Sequence, residues 1–190
     1  MTTQAERPGQ SAVLRMQGTE FVQNNERAAG PIDLELAEGG RIARVFPTAR
    51  EAAIAAMMAA AVVKATAGNV FIEEFDPRIQ PVQCKRIVGY VPHEIPPFAF
   101  SSFEEYIEYR AALWSLEPTH AIVRAKLLLE RLNGIHESFA YPLAGALIAS
   151  PRILVLDRPQ SVYAKQIFDI ADTCAIFSTH ISTKEAAFFA

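Results

Sequence analysis

The sequence predicts an α/β domain: a mostly parallel sheet with an antiparallel β layer at its edge. Three observations predict it. Strands alternate with helices through the second half of the chain. Arg152 to Leu156 is a nearly continuous apolar run, the pattern of a strand buried on both sheet faces. Near the N-terminus, Ile32, Leu34 and Leu36 alternate with Asp33 and Glu35, the period of a half-buried strand.

The elements follow in order. Residues 1–11 read as a flexible polar tail and 12–190 as a single domain. Val13 to Met16, Ile32 to Leu36 and Arg41 to Phe46 read as short strands, with Gly39-Gly40 as a hairpin turn between the last two. After Pro47 the period becomes helical: Thr48 can cap, Glu51 stands three residues on, and an Ala-rich helix runs to about Ala65. Asn69 to Phe75 and Ile87 to Val91 are strands. Ser101-Ser102 before Glu104-Glu105 offers capping choices for a helix to about Trp114. Pro118-Thr119 starts another, with Ala121, Ala125, Leu128 and Leu132 on one stripe and Asn133-Gly134 as its stop. A short helix over Pro142 to Ala149, the strand at Arg152, a helix around Val162 to Ala171, a strand over Thr173 to Ser178 and a helix begun at Ser182 complete the chain.

Composition narrows the function classes. With 190 residues the chain can bury roughly two-thirds of its unfolded surface. Hydrophobic residues at 51% and charged residues at 21% exclude disordered and supercharged classes. A net charge of -3 with no Lys/Arg block leaves no electrostatic footprint for nucleic acid. Cys84 and Cys174 have neither disulfide-framework nor zinc spacing and read as buried reduced thiols. The polar N-terminus has no apolar signal core, and the 12-residue apolar run Ala52 to Val63 falls short of the roughly 20 that span a bilayer. A cytoplasmic protein is expected. No GxSxG, HExxH or metal-spaced acidic cluster occurs, and Glu73, Glu74 and Asp172 read as solvated edges.

Four landmarks stand in order: the strand–turn–helix from Arg41 to Ala65; Gly89-Tyr90-Val91-Pro92-His93-Glu94; Ile153-Leu154-Val155-Leu156-Asp157-Arg158-Pro159; and Ile176-Phe177-Ser178-Thr179-His180. From about Leu14 to Ala187 the chain resembles the ATP-binding subunit of an ABC transporter. Asp76-Pro77-Arg78 and Arg86 to Pro92 are similar to exporter-type members. The resemblance implies a P-loop NTPase-like core, an antiparallel β edge layer and a helical subdomain over about 95–150, here reduced.

The residues at the motif positions imply a degenerate member, a pseudo-ATPase. A working GxxxxGK[ST] loop wraps phosphates with backbone N–H groups and neutralises them with Lys. The matching stretch, Phe46 to Ala53, has no Gly, Ala52 in place of the Lys and Ala53 in place of the hydroxyl. Thr48 and Glu51 can form a reciprocal capping box that closes the helix tip, and Arg50 reads as a surface or ion-paired residue. Asp157 matches the Mg²⁺-binding Asp, but Arg158 stands where the water-activating Glu belongs and has no basic lone pair. His93 replaces the family's Gln, and His180 keeps its switch His. Asp157 and His180 are expected to be structural relics, paired with Arg158 or Arg50.

The LSGGQ signature is absent between Leu132 and Pro151, a connection about three helical turns shorter than the family's. The turn after Asp157 is cut to Pro159-Gln160-Ser161. No catalytic, cofactor-binding or metal-ligating residue is expected, no cofactor, and no ATP-sandwich homodimer. In the family, the neighbourhood after His93 receives a coupling helix of the permease, so Pro97, Phe98, Phe100, Tyr106 and Tyr109 are candidate partner contacts. Phe188-Phe189 reads as an exposed apolar end beside an open sheet edge. The resemblance implies a noncatalytic scaffold, peripheral at the inner face of a membrane, docked on a permease-like subunit or an ATPase paralogue. Two alternatives stand beside it. One is a non-hydrolysing nucleotide or anion sensor using Arg50, Asp157 and His180; the other is a degenerate half of a heterodimeric transporter.

Overall fold

A computed structural model describes residues 12–93 and 100–190 of the chain. The described strands form two sheets. In the first, β1 (Ala12–Gln23) lies between β2 (Glu26–Ala37) and β4 (Ala67–Ile72), antiparallel to both. In the second, β3 (Arg41–Val45), β7 (Ala175–His180), β6 (Ile153–Asp157) and β5 (Val88–Val91) lie side by side in that order, all parallel. The α/β architecture and its antiparallel layer follow the sequence expectation.

The first strands are longer than their hydrophobic alternation suggests. Asn24 and Asn25 both take positive φ (52° and 63°) and close a two-residue hairpin, with Gln23 opposite Glu26. The expected hairpin at Gly39-Gly40 is not one. The chain does turn there, with the Gly40 N–H donating to Ala37 O (2.9 Å), but β3 leaves the first sheet and pairs with β7. At Gly68 (φ +71°) a Cβ would stand 2.2 Å from the Gly18 carbonyl oxygen, so only glycine lets β4 approach β1 that closely.

Helix α1 (Ala49–Ala59) ends six residues before the expected Ala65, because Ala61 turns left-handed (φ 55°) and Val62 N–H reaches back to Met57 O. Helix α2 (Pro81–Ile87) occupies a stretch with no predicted helix and runs straight into β5. Helix α3 (Phe103–Trp114) is capped by Ser102, and α4 (Pro118–Arg131) by the Glu117 carboxylate. Helix α5 (Glu137–Leu147) starts five residues earlier than expected and carries Pro142 inside it. A 3-10 turn at Ser161–Tyr163, α6 (Ala164–Ile170) and the short α7 (Thr183–Ala186) follow.

Packing explains why β6 is so apolar. Ile153, Val155 and Phe177 face a core shared with the first sheet and α1, whereas Leu154, Leu156 and Ile176 face α5 and α6. All five β6 residues are buried, each large apolar side chain contributing about 1.5–3 kcal/mol. Arg152, at the foot of β6, is paired with Glu38 (2.8 Å) and Glu73, tying the two sheets together. Glu73 is therefore ion-paired rather than a solvated edge. Cys84 and Cys174 are free and buried, as expected.

Helices α3 and α4 form a third small core, joined to α5 at Gly145. A Cβ on Gly145 would stand 2.6–2.9 Å from the end of the Tyr106 ring. Gly145→Val should therefore cost about 1–3 kcal/mol by overpacking, read as a lowered urea midpoint at unchanged m-value.

Candidate functional site at the carboxyl ends of the parallel strands

Because the four strands are parallel, Val45, Val91, Asp157 and His180 all end on one side of the sheet. That side is where ligands bind in open α/β folds. It gathers Thr48, His93, Asp157, Arg158 and His180 from four separate strand–loop junctions.

At the first junction only Phe46, Pro47 and Thr48 link β3 to α1. Phe46 is buried at 4% exposure and donates its N–H to His180 O (2.8 Å), while Pro47 has no N–H to offer. Thr48 caps α1 by accepting the Glu51 N–H (3.1 Å); the reciprocal bond from Glu51 is not made, so the expected box forms in one direction. The last five residues of the Phe46–Ala53 stretch are already helix, and Ala52 is fully buried. Arg50 turns away and donates to Gln23 Oε1 (2.8 Å) at the end of β1. It contacts neither Asp157 nor His180, so the three do not assemble as an anion site.

The central junction is filled by charge. Asp157 is 4% exposed. Arg158 takes a left-handed backbone (φ 47°) and folds its guanidinium back on its neighbour, Nε to Oδ1 at 2.9 Å and Nη2 to Oδ2 at 3.2 Å. Thr179 Oγ1 donates to Oδ1 (3.1 Å), and the His93 N–H points at Oδ2 (3.4 Å). His93 Nδ1 lies 3.0 Å from the Arg158 carbonyl oxygen, which puts its proton on Nδ1. The expected Asp157–Arg158 pairing is thus formed, with His93 tied into it. Thr179 and its bond were not visible in the sequence; they follow from the register that sets Thr179 opposite Asp157.

His180 does not pair with an arginine. Its Nε2 lies 2.9 Å from Ser178 Oγ, and its ring packs 5.1 Å from that of Phe189. Burial pushes its pKa from 6.5 down to about 4, partly opposed by Glu185. Burial and the Asp157 charge raise the Tyr90 phenol well above its usual range. Phe189 is fully buried against His180 and Phe168, which corrects its reading as part of an exposed end; Phe188 does stand out, at 53%. Above these groups opens a cleft of about 350 Å³ lined by His93, Arg158, Ser161, Val162, Ile181 and Glu185 among others. Glu185 already accepts the Ser161 N–H (3.0 Å).

The candidate partner contacts separate. Pro97 and Phe98 lie outside the described residues. Phe100 packs against Tyr106 and Tyr109, with ring centroids 5.5 and 5.2 Å apart. Tyr106 is buried at 9% and belongs to the subdomain core, which removes it as a contact, whereas Tyr109 is 50% exposed. Among the described residues no cluster of three metal-ligating side chains occurs, and no helix is long and apolar enough to cross a membrane.

Two outcomes follow from this geometry. Arg158→Met leaves the buried Asp157 carboxylate without its cation and should cost about 3–5 kcal/mol in chemical denaturation, with Asp157→Asn in the same chain recovering much of it. His180 is neutral when folded and titrates near its ordinary value when unfolded, so the unfolded chain binds the extra proton below pH 6.5. Stability should fall as pH drops from about 6.5 towards 4, by about 2–3 kcal/mol, and His180→Gln should flatten that part of the profile.

No family model matches the chain. It is similar to the sulfate/thiosulfate import ATP-binding protein CysA of Nephroselmis olivacea, 26% identical over 145 residues. The match takes in 70% of this chain, which spans only 42% of that relative. An ATP-binding subunit of an ABC transporter superposes with a TM-score of 0.73 at 13% identity, over 93% of this chain and 83% of that one. A bacterial ABC transporter cassette solved as a dimer gives 0.73 at 15%, over 93% and 91%. A Clostridium perfringens protein that is part of an ABC transporter complex gives 0.64 at 15%, over 90% and 79%. The chain therefore has the α/β P-loop fold of the ATP-binding subunits of ABC transporters, and its sequence resembles one of them.

Proposed function

We propose that the chain is a noncatalytic subunit on the ABC ATPase fold, a pseudo-ATPase. In this reading it serves as a docking body on an integral-membrane, permease-like partner or on an ATPase paralogue. The observation that carries the reading is the occupied Asp157 carboxylate: both its oxygens face the Arg158 guanidinium, where the fold family would place Mg²⁺.

Mg·ATP, which the fold family implies, does not fit the residues present. The link from β3 to α1 is three residues without glycine, too short and too poor in N–H groups to wrap a triphosphate. Ala52 brings no cation to it and Ala53 no hydroxyl. Arg158 cannot accept a proton from water. With neither a phosphate loop nor a signature segment, the chain has no group to offer either half of a nucleotide sandwich, so no such homodimer forms in this reading. Contact with the inner face of the membrane is then through the partner, with Phe100 and exposed Tyr109 as aromatic anchors.

Purified protein should release no phosphate from Mg·ATP above background and give no saturable heat with Mg·ATP, ADP or phosphate. A permease-like protein should co-purify from detergent-solubilised membranes, and Tyr109→Ala should weaken that association about tenfold. Turnover, saturable nucleotide heat, or recovery of no membrane partner overturns the proposal.

A further inference from the structure

Helix α2 has an inner face that the core explains and an outer face that it does not. Cys84 is fully buried and Ile87 packs against the core shared by the two sheets. On the other side Ile79 is 76% exposed, the highest value for a large apolar side chain among the described residues, and Val82 is 59% exposed. Ile79 sits in the turn leading into α2, where the Ile79 and Gln80 N–H groups both donate to Asp76 O. With Arg86 it and Val82 follow the i, i+3, i+7 spacing of one helix stripe.

Either aliphatic alone would be an ordinary surface residue; the charge around the pair sets it apart. Lys85 and Arg86 follow on α2, and Lys64 comes from the segment after α1, where Val63 to Ala65 pack against Asp76 to Arg78. All three cations are exposed, and none forms an ion pair among the described residues. The nearby carboxylates are engaged elsewhere. Asp76 is held by Arg78 (2.7 Å) and Glu73 by Arg152, and Glu74 adds its field to Arg152. The recess between Lys64 and Arg78 measures about 10 Å³, too small to seat the side chain of an approaching peptide.

We propose that this face rests on an anionic lipid surface. Ile79 and Val82 enter the boundary between headgroups and acyl chains, while Lys64, Lys85 and Arg86 lie level with the lipid phosphates. Protruding aliphatic side chains ringed by long cations suit a fluid surface that closes around them, with the charged heads staying among the headgroups. No described helix is long and apolar enough to cross a membrane, so the contact is interfacial and reversible. It adds to any contact made through a partner. Neither the nucleotide site nor the pseudo-ATPase reading enters, since every residue involved lies between Val63 and Arg86.

The test is co-sedimentation of the purified protein with vesicles of phosphatidylcholine alone or mixed with phosphatidylglycerol. Partitioning onto the mixed vesicles should be at least tenfold stronger and should weaken with added salt. Lys85→Gln with Arg86→Gln should reduce it at least tenfold, and Ile79→Ser with Val82→Ser about tenfold. All four side chains are solvent-facing, and an unchanged thermal melt verifies the fold of each variant. Val123→Ser with Leu127→Ser, which removes two similarly exposed aliphatics from α4, should leave partitioning unchanged. No partitioning, equal partitioning onto both vesicles, or indifference to the Ile79 and Val82 changes overturns the proposal. So does an equal loss from the α4 changes. Saturable binding of polyglutamate that is lost in the same α2 variants and displaces the vesicles would put an acidic protein segment on this face, and overturns it too.

Discussion

A carboxylate buried at the end of a strand inside the sheet has to be neutralised where it stands, and the arrangement around Asp157 follows from that need. An ionised group at this depth, without a counter-charge, costs several kcal/mol. The chain meets the cost from the adjacent residue: Arg158 adopts a left-handed backbone, which brings its guanidinium back over Asp157 rather than out to solvent. The same bend delivers the Arg158 N–H to Thr179 O and its carbonyl to His93. One buried charge thereby holds together the ends of β5, β6 and β7.

The layers around that knot divide the work of stability. Two apolar cores sandwich the parallel sheet, and the alternation of β6 and β7 side chains feeds both. The Arg152 guanidinium that bridges the sheets is about half exposed, so screening leaves its pair with the equally exposed Glu38 worth about 1 kcal/mol or less. Burial rather than ion pairing dominates the fold, while the enclosed Asp157–Arg158 pair determines the shape of the strand ends.

The helix tip after β3 is closed by its own residues. A cap at Thr48 satisfies the first-turn N–H of Glu51 internally, and Pro47 removes another donor from the approach. β3 pairs in parallel register with β7, and the loop from it to α1 is an ordinary short connection. The structural likeness to ABC transporter subunits therefore lies in the strands and their order, and the chemistry lies in the junctions where this chain has its own residues.

Much of the architecture was legible in the sequence because local patterns report local burial. The apolar run of β6, the capped starts of α1 and α3 and the Asp157–Arg158 adjacency all read directly. Helix α2 did not, since its seven residues carry no strong apolar period and Val82 points to solvent. Asn24-Asn25 forms a two-residue hairpin turn, but the polar residues on both sides of it carry no strand period. Tertiary structure alone decided that β3 leaves its neighbour for β7, that Thr179 meets Asp157, that Arg50 turns to Gln23, and that Phe189 is buried. Each of those depends on strand register and on which distant surfaces close over one another, and no local pattern encodes either.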